Sequence, residues 1–176
     1  MAGEFDAGKI VSGGSTIFIK NRDDDEYTNV GLTRDGVTVR KSRDTRTLYS
    51  DQLFYPVDVS INTEGFEVTF KVYQNTYANF ESIWGEPGRT KTVDGVVKGI
   101  LGISSVSEVK YKSIKICGLR KDGKEIIYEF PKCIQTSFGD HTIVRDGEAM
   151  IEATFTIIWD TEEEVMGYYT PGEEED

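Results

Sequence analysis

A single histidine stands in the 176 residues. His141 follows Gly139-Asp140 in a segment that reads as a surface turn. No GxSxG element is present to bring a serine nucleophile to it, so a Ser-His-Asp relay lacks both its elbow and an enclosed base. The two cysteines, Cys117 and Cys133, do not form a CxxC pair and are too few for a disulfide scaffold. If residues 111–130 make a hairpin about Asp122-Gly123, Cys117 faces a residue near Tyr128, not Cys133. Both then read as reduced, small apolar fillers. Metal sites built on His or Cys lack ligands. The run Asp23-Asp24-Asp25-Glu26 offers oxygens for Ca²⁺ without the D-x-[DN]-x-[DN]-G spacing that aims carboxylates at one point, and reads as a solvated acidic loop. Among 31 carboxylates some pairs must lie close, but no pattern selects two for glycoside hydrolysis. Gly13-Gly14 lacks the remainder of a phosphate-cradling GxxxxGK[ST]. The chemistry-bearing residues therefore point to a chain that is not an enzyme and takes no cofactor or metal.

Charge narrows the partners. With 20 Lys+Arg against 31 Asp+Glu the net charge is -11, which repels phosphate backbones within a Debye length of about 8 Å. Specific DNA binding is not expected, although this sign suits a surface that DNA slides past. The basic cluster Arg40-Lys41-Ser42-Arg43 with Arg46 reads as pairing with acidic groups, in this chain or on a neighbouring copy. The opening MAGEFDAGKIVSGG has no basic segment followed by an apolar one and does not read as a secretion signal. No run approaches the ~20 apolar residues of a membrane span. A reducing cytosol is the expected place of synthesis.

The elements that would position these residues are mostly strands. Phe66, Val68, Phe70 and Val72 alternate with Glu67, Thr69 and Lys71. Over 149–159, Ala149, Ile151, Ala153, Phe155, Ile157 and Trp159 alternate with polar or outward residues including Glu152, Thr154 and Thr156. Shorter strands are expected at 16–20, 30–34, 37–41, 46–50, 57–62, 112–117, 124–130 and 133–138. Asp35-Gly36, Asp122-Gly123 and Asp146-Gly147 read as hairpin turns, because both residues tolerate positive φ. The fold class is mostly β: an antiparallel sandwich or barrel of roughly eight to ten short strands. One short helix is expected at about 75–84, with Tyr73, Tyr77, Phe80 and Trp84 at helical spacing and Gly85 and Pro87 ending it. Residues 85–110, broken by five glycines, define no element on this reading. A flexible arm (1–12), one β domain (13–160) and an acidic C-terminal tail (161–176) complete the expected organisation.

In their order these segments resemble the major tail-tube proteins of long-tailed (siphophage-like) bacteriophages and prophages. Gly13-Gly14-Ser15-Thr16-Ile17-Phe18-Ile19 looks like that family's opening strand, and Val30-Gly31-Leu32-Thr33-Arg34-Asp35-Gly36-Val37-Thr38-Val39 resembles its first hairpin. Asp51-Gln52 and Pro56-Val57-Asp58 lead into the alternating strand and helix, and Lys124 to Asp160 is similar to the closing strands. The resemblance spans about 13 to 160 and has no counterpart for 85–110. It implies a virion structural protein: hexameric rings of copies of the chain, stacked into a tube with other tail proteins. DNA passes through the lumen without specific binding, no membrane is involved, and the subunit waits in host cytoplasm before assembly. By position, Arg40–Pro56 becomes the stacking loop, with Leu48, Tyr49, Leu53, Phe54 and Tyr55 as inter-ring contacts. Glu152, Thr154 and Thr156 become the lumen-facing residues, where acidic charge keeps DNA centred.

A secretion or contractile-injection tube keeps the fold and changes the cargo to protein. A tail terminator keeps a single ring. A carbohydrate-binding or adhesin-like sandwich would use Tyr168 and Tyr169 as stacking platforms. Assembly state separates these readings.

Overall fold

The structure is a computed structural model that describes residues 14–49, 55–73, 79, 83, 90–99, 111–138 and 150–172. Nine strands follow one another: β1 (Thr16–Asn21), β2 (Thr28–Tyr49), β3 (Pro56–Val72), β4 (Thr90–Val93), β5 (Val96–Gly99), β6 (Lys112–Leu119), β7 (Glu125–Phe138), β8 (Ile151–Ile157) and β9 (Tyr168–Thr170). The fold is mostly β, as the alternation requires. In the main sheet the order is β6-β1-β2-β3-β8-β7-β9, and β6 also pairs with β7. Six strands therefore close on themselves as an antiparallel barrel, which removes most of the exposed edges that an open sheet would carry.

Inward-pointing positions fill this barrel. β8 buries Ile151, Ala153, Phe155 and Ile157 and leaves Glu152, Thr154 and Thr156 half-exposed. Facing β8 on β3, Val68, Phe70 and Val72 are buried, and the Phe70 and Phe155 rings stack at 5.7 Å. Ile17, Ile19, Val30, Ile114, Ile116, Phe130 and Cys133 complete the core. Each such aliphatic or aromatic side chain contributes roughly 1.5–3 kcal/mol by leaving water.

Several expected strands are fused. Asp35-Gly36 is not a hairpin turn: both residues have positive φ (59° and 80°), but they form an irregularity inside β2, between Arg34 and Val37. The left-handed pair is accommodated as a bulge, and the strand continues. Pro131 plays the same part in β7. The register slips opposite Ser113, whose hydroxyl donates to the Pro131 carbonyl at 2.7 Å, and past this point β7 pairs with β8 as well as β6. A proline without an N–H suits the place where a strand changes partners. Asp122-Gly123 does turn the chain from β6 to β7, with Gly123 at φ 83° and Cys117 opposite Ile127. Cys133 donates its S–H to the Lys112 carbonyl, and burial raises its thiol to about 12. Within 85–110, Asp94-Gly95 turns β4 into β5 with φ 53° and 78°. This is a fourth Asp-Gly signal that the glycine-rich reading of the segment passed over.

No whole helix is among the described elements. Of the 75–84 segment, Asn79 and Ile83 are described; both have helical backbone and both are buried, and Asn79 donates to the Val30 carbonyl at 2.7 Å. Tyr77, Phe80, Trp84, His141, Asp146-Gly147 and the 1–12 arm lie outside the described residues. Residues 161–172, expected as the start of an acidic tail, hold a turn and β9, which pairs with Ile127–Glu129 of β7. Buried Arg120 clasps this segment by donating to the Pro171 carbonyl at 3.0 Å. A Cβ at Gly167 would stand 2.6 Å from the Phe130 ring and 2.8 Å from the Glu129 carbonyl, so only glycine permits so close a pass.

Candidate assembly surface

Past the barrel, β2 and β3 run on together. β1 pairs with β2 only as far as Leu32, and β8 pairs with β3 only from Phe66 onward. From there to the Tyr49–Pro56 pair, the two strands have each other and no further described partner. The segment taken as a stacking loop is thus largely a two-stranded arm. Six residue steps from Arg43 to Tyr49, at ~3.3 Å each, extend it roughly 20 Å.

A bulge decides which way the arm's apolar side chains point. Asp44 pairs with Thr63 and Thr45 with Ile61, so Asn62 has no cross-strand partner; its side-chain amide donates to Asp44 at 3.2 Å. Without that extra residue, β3 would keep its even positions on the barrel-facing side. With it, Ile61 and Val59 lie opposite Thr45 and Thr47, on the face continuous with Val39 and Val37. Val57, Val59 and Ile61 are each more than half exposed, Tyr49 is 73% exposed and Tyr55 is 77% exposed. Leu48, paired with Asp58, lies on the opposite face at the edge of exposure. Of the five expected contacts, Leu48, Tyr49 and Tyr55 are placed on this arm, and Leu53 and Phe54 lie outside the described residues. The apolar stripe Val57-Val59-Ile61 was not singled out from sequence. Its alternation with Asp58, Ser60 and Asn62 is the signal that carries it.

Charge is divided along the arm. Glu64 takes both Arg43 and Lys41 (3.4 Å), and the Arg43 hydrogen bond lowers its carboxyl pKa. Lys41 also sits 5.4 Å over the Phe66 ring. Arg40 and Arg46 have no acidic partner among the described residues.

At the root of the arm the inner face opens into a groove of about 430 Å³. Val39 and Phe66 form one wall, and Tyr128, Phe130, Trp159 and Met166 form the other. The β9 tyrosines finish it, with the Tyr169 ring tilted against Tyr128 at 4.8 Å. Trp159 departs from its expected place in the core: β8 ends at Ile157, the Ile158 N–H bonds to the Lys132 carbonyl, and the indole is left half-exposed. Tyr168 bonds Glu163 at 2.9 Å, while Glu164, held at φ 55° on the groove's rim, has no cationic partner among the described residues.

Two acidic loops meet beside this surface. Asp160 is 1% exposed and binds Arg22 at 2.9 Å, and Arg22 reaches Glu162 at 2.8 Å. Burial works to raise the Asp160 carboxyl, but the Glu162 N–H and the Arg22 guanidinium together hold it below its ordinary range. Asp24 of the run 23–26 is tied to Asn21 (2.7 Å) and Lys20 (2.8 Å), and no group of three or more metal-ligating side chains occurs among the described residues.

Glu152, Thr154 and Thr156 form one strip on the barrel's outside. Glu152 pairs with Lys71 at 3.4 Å, Thr154 shares a hydrogen bond with Thr69 at 3.0 Å, and Thr156 does the same with Thr136. The strip is a threonine-rich polar face whose glutamate is largely balanced by a lysine.

No family model matches the sequence, and no curated protein does. A chain in the cryo-EM structure of the anti-feeding prophage baseplate, six-fold symmetrised, is similar in structure, with TM-score 0.50 and 5% identity. The match covers 92% of this chain and 91% of that one. At that identity the likeness is one of fold. It spans nearly the whole of both chains, which a likeness of the barrel strands alone would not.

Proposed function

We propose that this chain is a non-enzymatic structural subunit of a phage-tail-like particle, forming hexameric rings that stack into a tube for DNA. The arm carries the proposal. A two-stranded ribbon is marginal by itself in water, and this one holds Tyr49, Tyr55, Val57, Val59 and Ile61 in solvent. Such a face is costly for a monomer and useful to a subunit that is covered on assembly. A near full-length likeness to a chain of a six-fold symmetrised baseplate supports the same direction. The threonine strip around Glu152 is the proposed lumen face, offering hydroxyls and a neutralised Lys71–Glu152 pair to a passing phosphate backbone.

The same likeness favours a second reading, a ring component of a contractile injection system, in which the arm has the same use and the cargo differs. Packaged particles carrying Glu152→Lys test the lumen face of the DNA-tube reading. Slowed DNA ejection at unchanged particle yield is the result for a DNA tube; unchanged ejection removes Glu152 from the lumen.

A further inference from the structure

The groove at the root of the arm holds an unanswered charge among aromatic faces. One of its walls is complete within the chain. There the Lys41 ammonium sits 5.4 Å over the Phe66 ring and 3.4 Å from the Glu64 carboxylate, which Arg43 also holds. Ring face and carboxylate together fix a cation. Lysines meet rings elsewhere in the barrel too, with Lys20 5.1 Å over Tyr27 and Lys132 4.7 Å over Tyr111. The facing wall has the same parts without the cation. Trp159, Tyr168 and Tyr169 are each about half exposed, and Glu164 lines the groove with them. Glu164 has no cationic partner, and no lysine or arginine lines the groove, among the described residues. These rings are held before anything arrives. The Tyr168 hydroxyl donates to Glu163 at 2.9 Å, Tyr169 leans on Tyr128 at 4.8 Å, and Gly167 brings the chain down onto Phe130. A guest therefore has little ordering left to offset. Ring faces carry the negative side of their quadrupole, so rings and carboxylate favour the same positive guest. A neutral apolar guest gains nothing from Glu164. A bare metal ion needs a cluster of oxygen ligands, and no group of three or more metal-ligating side chains occurs among the described residues. At about 430 Å³ the groove falls in the range of ordinary binding clefts, roughly 300–1,000 Å³.

We propose that this wall binds the side-chain cation of a lysine or arginine presented by a partner protein. The charged head meets Trp159 and Glu164, and the methylene stem lies along Tyr128 and Tyr169. A long basic side chain suits a groove that is apolar along its length and acidic at its rim. The net charge of -11 draws a basic segment towards the chain, and Glu164 fixes where it docks. This surface is separate from the apolar stripe of the arm, and its use does not require the chain to form rings.

The test uses the full chain and three capped peptides of equal length, carrying a single lysine, arginine or norleucine among glycines and serines. Saturation-transfer difference NMR reads binding from the peptide, so it serves single copies and assemblies alike. The lysine and arginine peptides are expected to bind, with the methylene next to the charge most strongly saturated. The norleucine peptide, similar in stem but uncharged, is expected to bind about fivefold more weakly or worse. Glu164→Gln and Trp159→Leu should each weaken the lysine peptide by about fivefold to tenfold, while Trp159→Tyr keeps most of the affinity because a ring face remains. Melting curves check the fold of each variant, and exposed Glu164 is the position whose change leaves packing alone. Norleucine binding equal to lysine overturns the cation site and leaves an apolar groove. Unchanged affinity in Glu164→Gln overturns it as well, and so does a neutral oligosaccharide such as maltotriose binding where the basic peptides do not. None of these results touches ring formation, so the proposed function stands or falls separately.

Discussion

Asp160 is where three segments meet: Arg22 from the β1–β2 turn, the 161–165 turn through the Glu162 N–H, and the end of β8 through its own N–H to Val165. Its folded carboxyl titrates below the ordinary value. The stabilisation is therefore fully present above the unfolded value of about 3.9 and is lost as pH falls through the lower folded value. Asp160→Asn is expected to cost about 1–3 kcal/mol at neutral pH. Urea midpoints at pH 7, 5, 4 and 3 should show the gap to wild type closing below about pH 4; a constant gap would show that the charge is not what matters. Cys133 is a quieter case. Burial outweighs the opposing pull of Lys112 and leaves it a protonated core thiol. A maleimide at pH 7 should therefore label it only in denaturant, with labelling of the native barrel at that position contradicting the packing. At Gly167, a methyl meets both the Phe130 ring and the Glu129 carbonyl. Gly167→Ala should cost about 1–3 kcal/mol in the same denaturation assay.

Among the elements, those with strict alternation were legible in the sequence. β8 and the inner half of β3 place Phe66, Val68, Phe70, Val72, Ile151, Ala153, Phe155 and Ile157 on the face that their period of two demands. What alternation does not carry is the difference between a turn and a bulge. Asp35-Gly36 and Asp122-Gly123 are the same dipeptide with glycines at similar φ, yet one lies inside a continuous strand and the other ends one. The outcome is set by strands on either side, which a local reading does not contain. The arm was hidden for a related reason: Asn62 exchanges the two faces of β3, so Val57, Val59 and Ile61 read as an ordinary short strand and not as an uncovered stripe. Trp159 read as core because the alternation ran one step beyond the strand. Of the assembly surface, the aromatic cluster near Tyr49 and Tyr55 was visible, and the groove was not, since it joins residues from four distant segments. The arm's independence gives a prediction at this scale. Val59→Asp/Ile61→Asp touches no barrel contact and should leave barrel stability within about 0.5 kcal/mol by urea denaturation. A larger loss would mean that the arm is packed against the barrel.

For the whole molecule, closure of six strands protects most of the barrel edges and leaves the arm as the long ribbon whose edges have no described partner. A chain of net charge -11 resists random association at a distance. The proposed association then depends on the uncovered apolar side chains Val57, Val59 and Ile61 of the arm. The account's central claim is that assembly, and its most direct test is negative-stain electron microscopy of the purified full chain, at low and high concentration beside light scattering. Hollow rings or tubes with six-fold symmetry, increasing with concentration, are the predicted result. Monodisperse single barrels at every concentration would contradict it.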